Sequence, residues 1–535
     1  MPDIMNQRSD NAAQQAEQRV LRLMRKGKLH EAAAECDQLT QQFPGYDSGW
    51  HTASRLAIAL TEPDIALKAI ERALRLSPDK PEWLLQKAAC LAVLGDEVAA
   101  RRLLAELAPN DFSTAYHAAT CGLTLNHLGL HQEAEGYFRQ AIELEPDDNT
   151  HHYNLATVLR FLGRLDDAAS SLDRAIELNP DDYDAHLLRS GLKTQTATDN
   201  NVENLRAALE RAPETHPGRV RLCYALAKEL EDLEEYESSF ESLTMGASAR
   251  RVSMRYNAER DLSTMRKIRE VYGEDLFDGS KEGFVNAEPI FVIGSPRTGT
   301  TLVDRILNCH SVVASAGESP AFGVELVNQC KRVSDISQKT PTDLVPLSTQ
   351  IDFAALGEAY VASARPGSVP TAHFVDKLPM NFLYAGLIHL ALPKAKMVWL
   401  ERSPLDTCYA VYKTLFEGAY PYSYDLEELA NYHVEYRKLM THWLDVLPGI
   451  IHTIRYEELV TEPRPVIESL LDYCNLSWED QCLNFHDSKG AVTTASAAQV
   501  RQALHTGSIG MWRNYEKQLQ PVIDILQRAG IDTGI

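Results

Sequence analysis

A repeat of 34 residues governs the first half of this chain. Gly27, Thr61, Gly95, Gly129 and Gly163 stand at that interval, and Ala32, Ala66, Ala100, Ala134 and Ala168 each follow five residues later. Around every turn position the apolar residues recur at helical spacing, as in VLRFLGRLDDAASSLDRAIELNP, and most copies close on a proline: Pro44, Pro78, Pro109, Pro146 and Pro180. The turn residue reverses the chain between two helices, the small alanine lets those helices approach, and proline has no N–H with which to continue the second one. A unit of this kind cannot bury its apolar face alone. Copies must stack, and stacking produces an open superhelix with a concave surface. The third copy is about three residues short before Pro109, and the insertion NDFSTAYHAA restores the spacing by Gly129.

The pattern resembles the tetratricopeptide repeat over residues 15–182. The resemblance implies a scaffold that holds a peptide or a neighbouring domain, since a solenoid supplies no nucleophile. Residues 183–250 keep a helical pattern (NLRAALERA, CYALAKELEDLEEYESSFESL) but lose the Gly and Ala marks, and read as degenerate repeats with capping helices. Residues 1–14 read as a disordered N-terminus, and 251–288 as a charged helix followed by a linker that ends in GEDLFDGSKEG.

A chain of 535 residues exceeds what one core accommodates, so at least one further domain follows. The net charge of −22 argues against adhesion to nucleic acid or an anionic membrane, because both need a positive field over the binding face. Any anion site must therefore be locally basic. Nine cysteines without a C-x-x-C pair signal neither a zinc site nor a disulfide framework, which fits a reducing compartment. The N-terminus is polar, and no run approaches the roughly 18 apolar residues of a membrane span, so the expected location is the cytoplasm.

After residue 288 apolar strands alternate with helices. PIFVIG precedes LVDRILNC, AHFVDK precedes NFLYAGLIHLAL, KMVWLE precedes LDTCYAVYKTLF, and IIHTIRY precedes PRPVIESLLDYC. Continuously apolar strands separated by helices predict an α/β domain over 289–535 with a central parallel sheet covered on both faces. In such sheets ligands bind beyond the carboxyl ends of the strands.

The first of these ends is the loop G294-S-P-R-T-G-T-T301. A nucleotide-hydrolysing loop, G-x-x-x-x-G-K-[ST], holds phosphates with backbone N–H groups and a helix dipole, and reaches the β and γ groups with its lysine. Here Thr300 takes the lysine position and the cation is Arg297. Such a loop can cradle a 5′-phosphate through backbone N–H groups, Thr300 and Thr301. It is poorly equipped for a doubly charged terminal phosphoryl with magnesium. A sulfuryl group carries a single negative charge, so its transfer can proceed with side-chain cations and without a metal.

The strand, the Gly-x-Pro and the run Arg297-Thr298-Gly299-Thr300-Thr301 resemble the 5′-phosphosulfate loop of sulfotransferases that use 3′-phosphoadenosine-5′-phosphosulfate (PAPS), in the branch similar to the tyrosylprotein enzymes. The resemblance implies Glu318, 21 residues beyond Arg297 in ASAGESP, as the general base. It implies that Lys377, in FVDKLPMNF, meets the bridging oxygen of the leaving group, with Arg297 also stabilising the transferring sulfuryl. Arg402, at the end of KMVWLE, resembles the 3′-phosphate arginine, a task for which the planar guanidinium fork is suited. Tyr456 in IRYEELV resembles the tyrosine near the adenosine. Ser496, Gln499, Val500, Arg501 and Gln502 resemble the stretch that closes over the nucleotide. This sequence departs from the family where Ala410 replaces a serine on the helix after Arg402, where Thr414 beside Lys413 replaces an arginine, and where Met511 replaces a cation before Trp512. His310 reads as a structural residue at a helix end.

The expected function is therefore sulfuryl transfer from PAPS, as cosubstrate and without a metal, to a hydroxyl acceptor such as a peptide or protein tyrosine held by the repeats. Neither a nucleic acid nor a membrane span is expected to be involved. Two alternatives stand beside it: a non-catalytic adaptor with a decayed transferase domain, and a nucleotide kinase. The missing loop lysine disfavours the kinase.

Overall fold

The computed structural model describes residues 2–107, 114–365, 371–416, 418–485 and 504–535, with side chains from residue 11 onward. The chain forms two compact units, Met1–Ala185 and His186–Ile535.

The first unit is a row of helix pairs. Asp47–Ala59 pairs with Pro63–Leu76, Pro81–Val93 with Glu97–Ala105, Ala115–His127 with His131–Leu144, and Asn149–Phe161 with Leu165–Leu178. Each turn places its marked residue in the left-handed region, with φ of +69° at Gly27, +62° at Thr61, +84° at Gly95, +74° at Gly129 and +79° at Gly163. Ala32, Ala66, Ala100, Ala134 and Ala168 are completely buried where the paired helices meet. The array begins earlier than residue 15, since a helix spans Pro2–Arg25 where the sequence reads as disordered. The reason is a continuous apolar face: Ala13, Ala16 and Val20 lie at helical spacing and are buried with Ala32, Cys36, Leu39 and Leu56.

The second unit starts at His186, so residues 186–288 belong to the same compact body as the sheet. The segments expected as degenerate repeats with capping helices (183–250) and as a helix with a linker (251–288) thus fall, from His186 onward, in the unit of the sheet. The helices Gly218–Asp232 and Tyr236–Val252 do keep the geometry of a repeat: Glu234 takes φ +62° between them, and Ser239, five residues on, is buried with its Oγ donating to Ala227 O at 2.7 Å. The pair is fastened to the sheet domain by polar contacts. Glu231 accepts from Lys413 Nζ (2.6 Å), Tyr515 OH (3.1 Å) and Tyr409 OH, and Arg251 makes a two-pronged pair with Glu428 at 2.7 and 2.8 Å. The charged helix expected after residue 250 is Ala258–Val271, whose Leu262, Met265 and Ile268 enter the main core.

Five parallel strands form the sheet: β1 (Pro289–Gly294), β2 (Val313–Ser315), β3 (His373–Asp376), β4 (Lys396–Glu401) and β5 (Ile451–Arg455), in the order β2-β3-β1-β4-β5. Alternate residues serve opposite faces. Phe291, Ile293, Phe374, Met397 and Trp399 enter one core, while Ile290, Val292, Val375, Val398 and Leu400 enter the other. Burial on both sides accounts for the uninterrupted apolar strands. β2 is three residues long, too short to leave a periodic signal in the sequence. No helix among the described residues is long and apolar enough to cross a membrane, and all nine cysteines are free.

Thr61 and Glu234 hold a conformation that costs a residue with a Cβ about 1–2 kcal/mol, against about 0.5–1 kcal/mol of extra chain entropy for glycine. Thr61→Gly and Glu234→Gly should therefore each raise stability by about 0.5–1 kcal/mol in urea titrations. Loss of stability in both would show that the turns are not strained.

Candidate active site

Because the strands run parallel, their carboxyl ends emerge together, and each carries one element of the site. β1 ends in the Gly-rich loop. Gly294 lies so close to β4 that a Cβ there would sit 2.9 Å from Leu400 O, so only glycine fits. Ser295 N donates to Tyr436 OH at 3.1 Å, and that same oxygen accepts from Trp399 Nε1 at 2.7 Å, fixing the loop to its neighbouring strand. Thr298 Oγ1 closes the loop onto Ser295 O at 2.8 Å. Arg297 takes φ +66° and Gly299 φ +101° before the helix Thr300–Asn308 begins. Leu302 N donates to Gly299 O at 3.0 Å, and the N–H groups of Thr300 and Thr301 before it, with the helix dipole, form an anion cradle. Burial, with Arg402 close by, brings the Arg297 guanidinium down to about 10.

β4 ends at Glu401, and Arg402 turns back over the loop. Its Nη1 donates to Arg297 O (2.9 Å) and its Nη2 to Ser508 O (2.6 Å), while the guanidinium carbon lies 4.7 Å from the centre of the Tyr456 ring. Nε of Arg402 is buried with no hydrogen-bond partner among the described residues. Tyr456, after β5, places its ring against Gly299, where a Cβ would meet Cδ2 at 2.7 Å, and its OH meets Ser508 Oγ at 2.7 Å. Asp406 in turn anchors the late segment by accepting from Gly510 N at 2.7 Å.

On the other side of β1, the ends of β2 and β3 hold the remaining pair. Ala316 N donates to Val375 O (2.8 Å) and Lys377 N to Gly317 O (2.9 Å), carrying the strand pairing one step further. Gly317, at φ +68°, then turns Glu318 toward Lys377, whose ammonium donates to Glu318 Oε1. The two differ sharply in exposure: the Lys377 side chain is 1% exposed and that of Glu318 48%. Beneath Lys377, Asp376 is fully buried and accepts from Tyr360 OH (2.9 Å), Asn381 Nδ2 (3.1 Å) and Leu378 N (3.2 Å); burial pushes its carboxyl up to about 7.

Thus Arg297, Thr298, Gly299, Thr300, Thr301, Arg402 and Tyr456 converge around one loop, and Glu318 meets Lys377 at the adjoining strand ends. Ser496, Gln499, Val500, Arg501 and Gln502 lie outside the described residues. Lys413, beside the departure at Thr414, pairs with Glu231 at 2.6 Å. His310 Nε2 donates to Ser477 O (2.9 Å) and the ring is buried, a structural setting. Tyr436, Asp406 and Ser508 were not singled out from the sequence, since each acts through a contact more than a hundred residues distant or through the backbone.

A cavity of about 790 Å³ opens at the ends of β4 and β5, lined by Arg402, Ser403, Arg437, Arg455 and Glu457 among others. Its cations are largely matched by carboxylates, as in the pair Arg437–Glu401 at 2.5 Å, and Glu318 and Lys377 are not among its walls. Among the described residues, Glu145, Asp148 and His151 of the repeat unit could hold a metal ion, with ligand atoms within 4.8 Å of one another. None of the three belongs to the loop site.

Gly299→Ala should distort the cradle, because the new methyl meets Tyr456 while φ stays positive. A loss of about 1–3 kcal/mol in denaturant unfolding is expected. Restoration by a second change, Tyr456→Ala, would identify the clash as the cause, and no restoration would assign the loss to backbone strain alone.

Residues 289–480 match the model of the sulfotransferase family, and residues 51–113, 127–183 and 153–192 match that of the tetratricopeptide repeat. An uncharacterized protein of Aquifex aeolicus (strain VF5) is 34% identical over 340 residues, which are 62% of this chain and 44% of that protein. The chain therefore spans less than half the length of that relative. A Caenorhabditis briggsae protein provisionally named protein-tyrosine sulfotransferase is 25% identical over 265 residues, 46% of this chain and 89% of its own length. Among solved structures, the sulfotransferase domain from the Synechococcus PCC 7002 olefin synthase aligns with a TM-score of 0.33 at 17% identity, covering 47% of this chain and 98% of that one. By the family matches, the chain carries tetratricopeptide repeats in its first half and, over residues 289–480, a domain similar to the sulfotransferase family.

Proposed function

We propose that this domain moves the sulfuryl group of PAPS to the hydroxyl of a phenolic acceptor, a tyrosine of a peptide or protein. The observation that carries the reading is the Lys377–Glu318 pair standing at strand ends next to a lysine-free phosphate cradle. The backbone of residues 297–301, with Thr298, Gly299, Thr300 and Thr301, holds the 5′-phosphate. The Arg402 fork takes the 3′-phosphate, with its buried Nε as a further donor, and Tyr456 lies along the adenosine. Ser496 and Gln499, Val500, Arg501 and Gln502 close over the nucleotide on the strength of the sequence resemblance.

In the transfer step Glu318 removes the acceptor's hydroxyl proton as the oxygen attacks sulfur. The bond from sulfur to the bridging oxygen breaks, and the charge that develops on that oxygen is met by the Lys377 ammonium, with Arg297 facing the sulfuryl oxygens. The proton ends on Glu318 and adenosine 3′,5′-bisphosphate leaves. Because Lys377 is almost completely buried, its charge acts in a weakly screened environment.

A phenolic acceptor is supported by the name of the Caenorhabditis briggsae relative and by an aromatic run close to the base. Tyr420 lies within the field of Glu318, whose charge adds to burial in raising its phenol, and its ring packs 4.8 Å from Phe416 and 6.2 Å from Tyr422. The repeats are assigned the recruitment of the protein that bears the acceptor. The free cysteines support action in a reducing compartment, the cytoplasm.

Calorimetry should show binding of adenosine 3′,5′-bisphosphate without metal, and labelled sulfate should pass from PAPS to tyrosine-bearing acidic peptides. Glu318→Gln should lower transfer by about a hundredfold or more while bisphosphate affinity stays within about threefold. Binding of ATP–Mg²⁺ with none of the bisphosphate would overturn the assignment, and undiminished transfer by Glu318→Gln would remove that carboxylate from the mechanism.

A further inference from the structure

Asp304 occupies the helix Thr300–Asn308, one turn beyond the residues that open the cradle. Its Oδ1 accepts from Ser315 Oγ at 2.6 Å, and the same hydroxyl oxygen accepts from Gly317 N at 3.1 Å. Gly317 O accepts from Lys377 N at 2.9 Å, and the next residue is Glu318. A short chain of hydrogen bonds therefore runs from the helix that caps the anion cradle, through one hydroxyl, to the turn that presents the base.

We propose, resting on the sulfuryl-transfer reading, that Asp304 is a positioning residue: through Ser315 it holds the Gly317–Glu318 turn in the register where Glu318 meets Lys377. The two carboxylates are of different kinds. Glu318 is half exposed, faces the acceptor and must change partner during turnover. Asp304 is fixed by Ser315 and stays. The turn therefore keeps its register at the moment when Glu318 becomes neutral.

The arrangement also links the donor to a proton. The charged groups around Asp304 are Lys377, Glu318 and Asp376 from the strand ends, and Arg305 on its own helix. Burial pushes the Asp304 carboxyl up to about 6, against the opposing pull of Ser315 and Lys377. An anionic nucleotide seated at the start of the same helix raises it further. The occupied protein then binds more protons than the empty one near and above pH 6, so this group's contribution to affinity weakens as pH rises.

The test compares the full chain with Asp304→Asn and Ser315→Ala. Titration with adenosine 3′,5′-bisphosphate at pH 6.5, in two buffers of different ionisation enthalpy, needs no acceptor; the wild type should take up a fraction of a proton more than Asp304→Asn. With PAPS and an acidic tyrosine peptide, both variants should lose kcat by about 10- to 100-fold, with bisphosphate affinity within about threefold of wild type. A merely structural role would instead lower the melting temperature and bisphosphate affinity together and leave the proton uptake unchanged. If Asp304→Asn does not fold, Ser315→Ala carries the kinetic comparison. Wild-type turnover in Ser315→Ala, or equal proton uptake by wild type and Asp304→Asn, overturns the inference. A wild type that binds no bisphosphate overturns the sulfuryl-transfer reading itself.

Discussion

Lys377 is a fully buried ammonium, and that single charge constrains much of what surrounds it. Removing an ammonium from water costs several kcal/mol unless fixed partners replace the lost solvation. Here the partner is Glu318, which lies on the far side of a glycine turn from β2. The strand β2 is thus more than an edge element. Although only three residues long, it sets the register that carries Gly317 to the backbone of Lys377 and Glu318 to its side chain. Asp376, directly before the lysine, is held by Tyr360, Asn381 and the Leu378 N–H, which stiffens the strand end from below.

The strand order extends the same logic across the sheet. With β1 central, its loop is flanked by β3 on one side and β4 on the other, so a cation that follows each flanking strand stands beside the cradle. Lys377 follows β3 and Arg402 follows β4. These two places call for different cations. Arg402 bridges two backbone oxygens with its Nη atoms and lies over the Tyr456 ring, a use of a planar fork that a lysine could not reproduce. Lys377 acts as a compact point charge next to a carboxylate.

What the sequence disclosed and what it withheld follow from the range of the interactions. The turn glycines, the buried alanines, four of the five strands and the loop are local patterns, and each appears as a run of residues with a clear period or composition. Glu318 and Lys377 were reached through the resemblance that the loop and its surroundings carry. The bracket of Asp304 and Ser315 was not, because an aspartate in a helix and a serine near a strand end are ordinary until the fold brings them within 2.6 Å. Tyr436 is a similar case: it lies in a long helix, 141 residues from the loop that it holds.

The boundary between the units illustrates the same limit from another direction. Losing the Gly and Ala marks after residue 183 suggested a fading array, yet the pair around Glu234 retains the turn with a strained residue and replaces the alanine by Ser239. The marks weakened while the geometry persisted, because this pair does not depend on a following copy for burial. Tyr224 and Phe240 enter the core that contains Tyr409 and Tyr412, and Glu231 gathers Lys413 with two tyrosine hydroxyls. Residues that pack against a sheet domain need shape and paired charge more than an idealised repeat. A helix pair of repeat form has thereby become part of the domain that carries the site, holding in place the helix that follows Arg402.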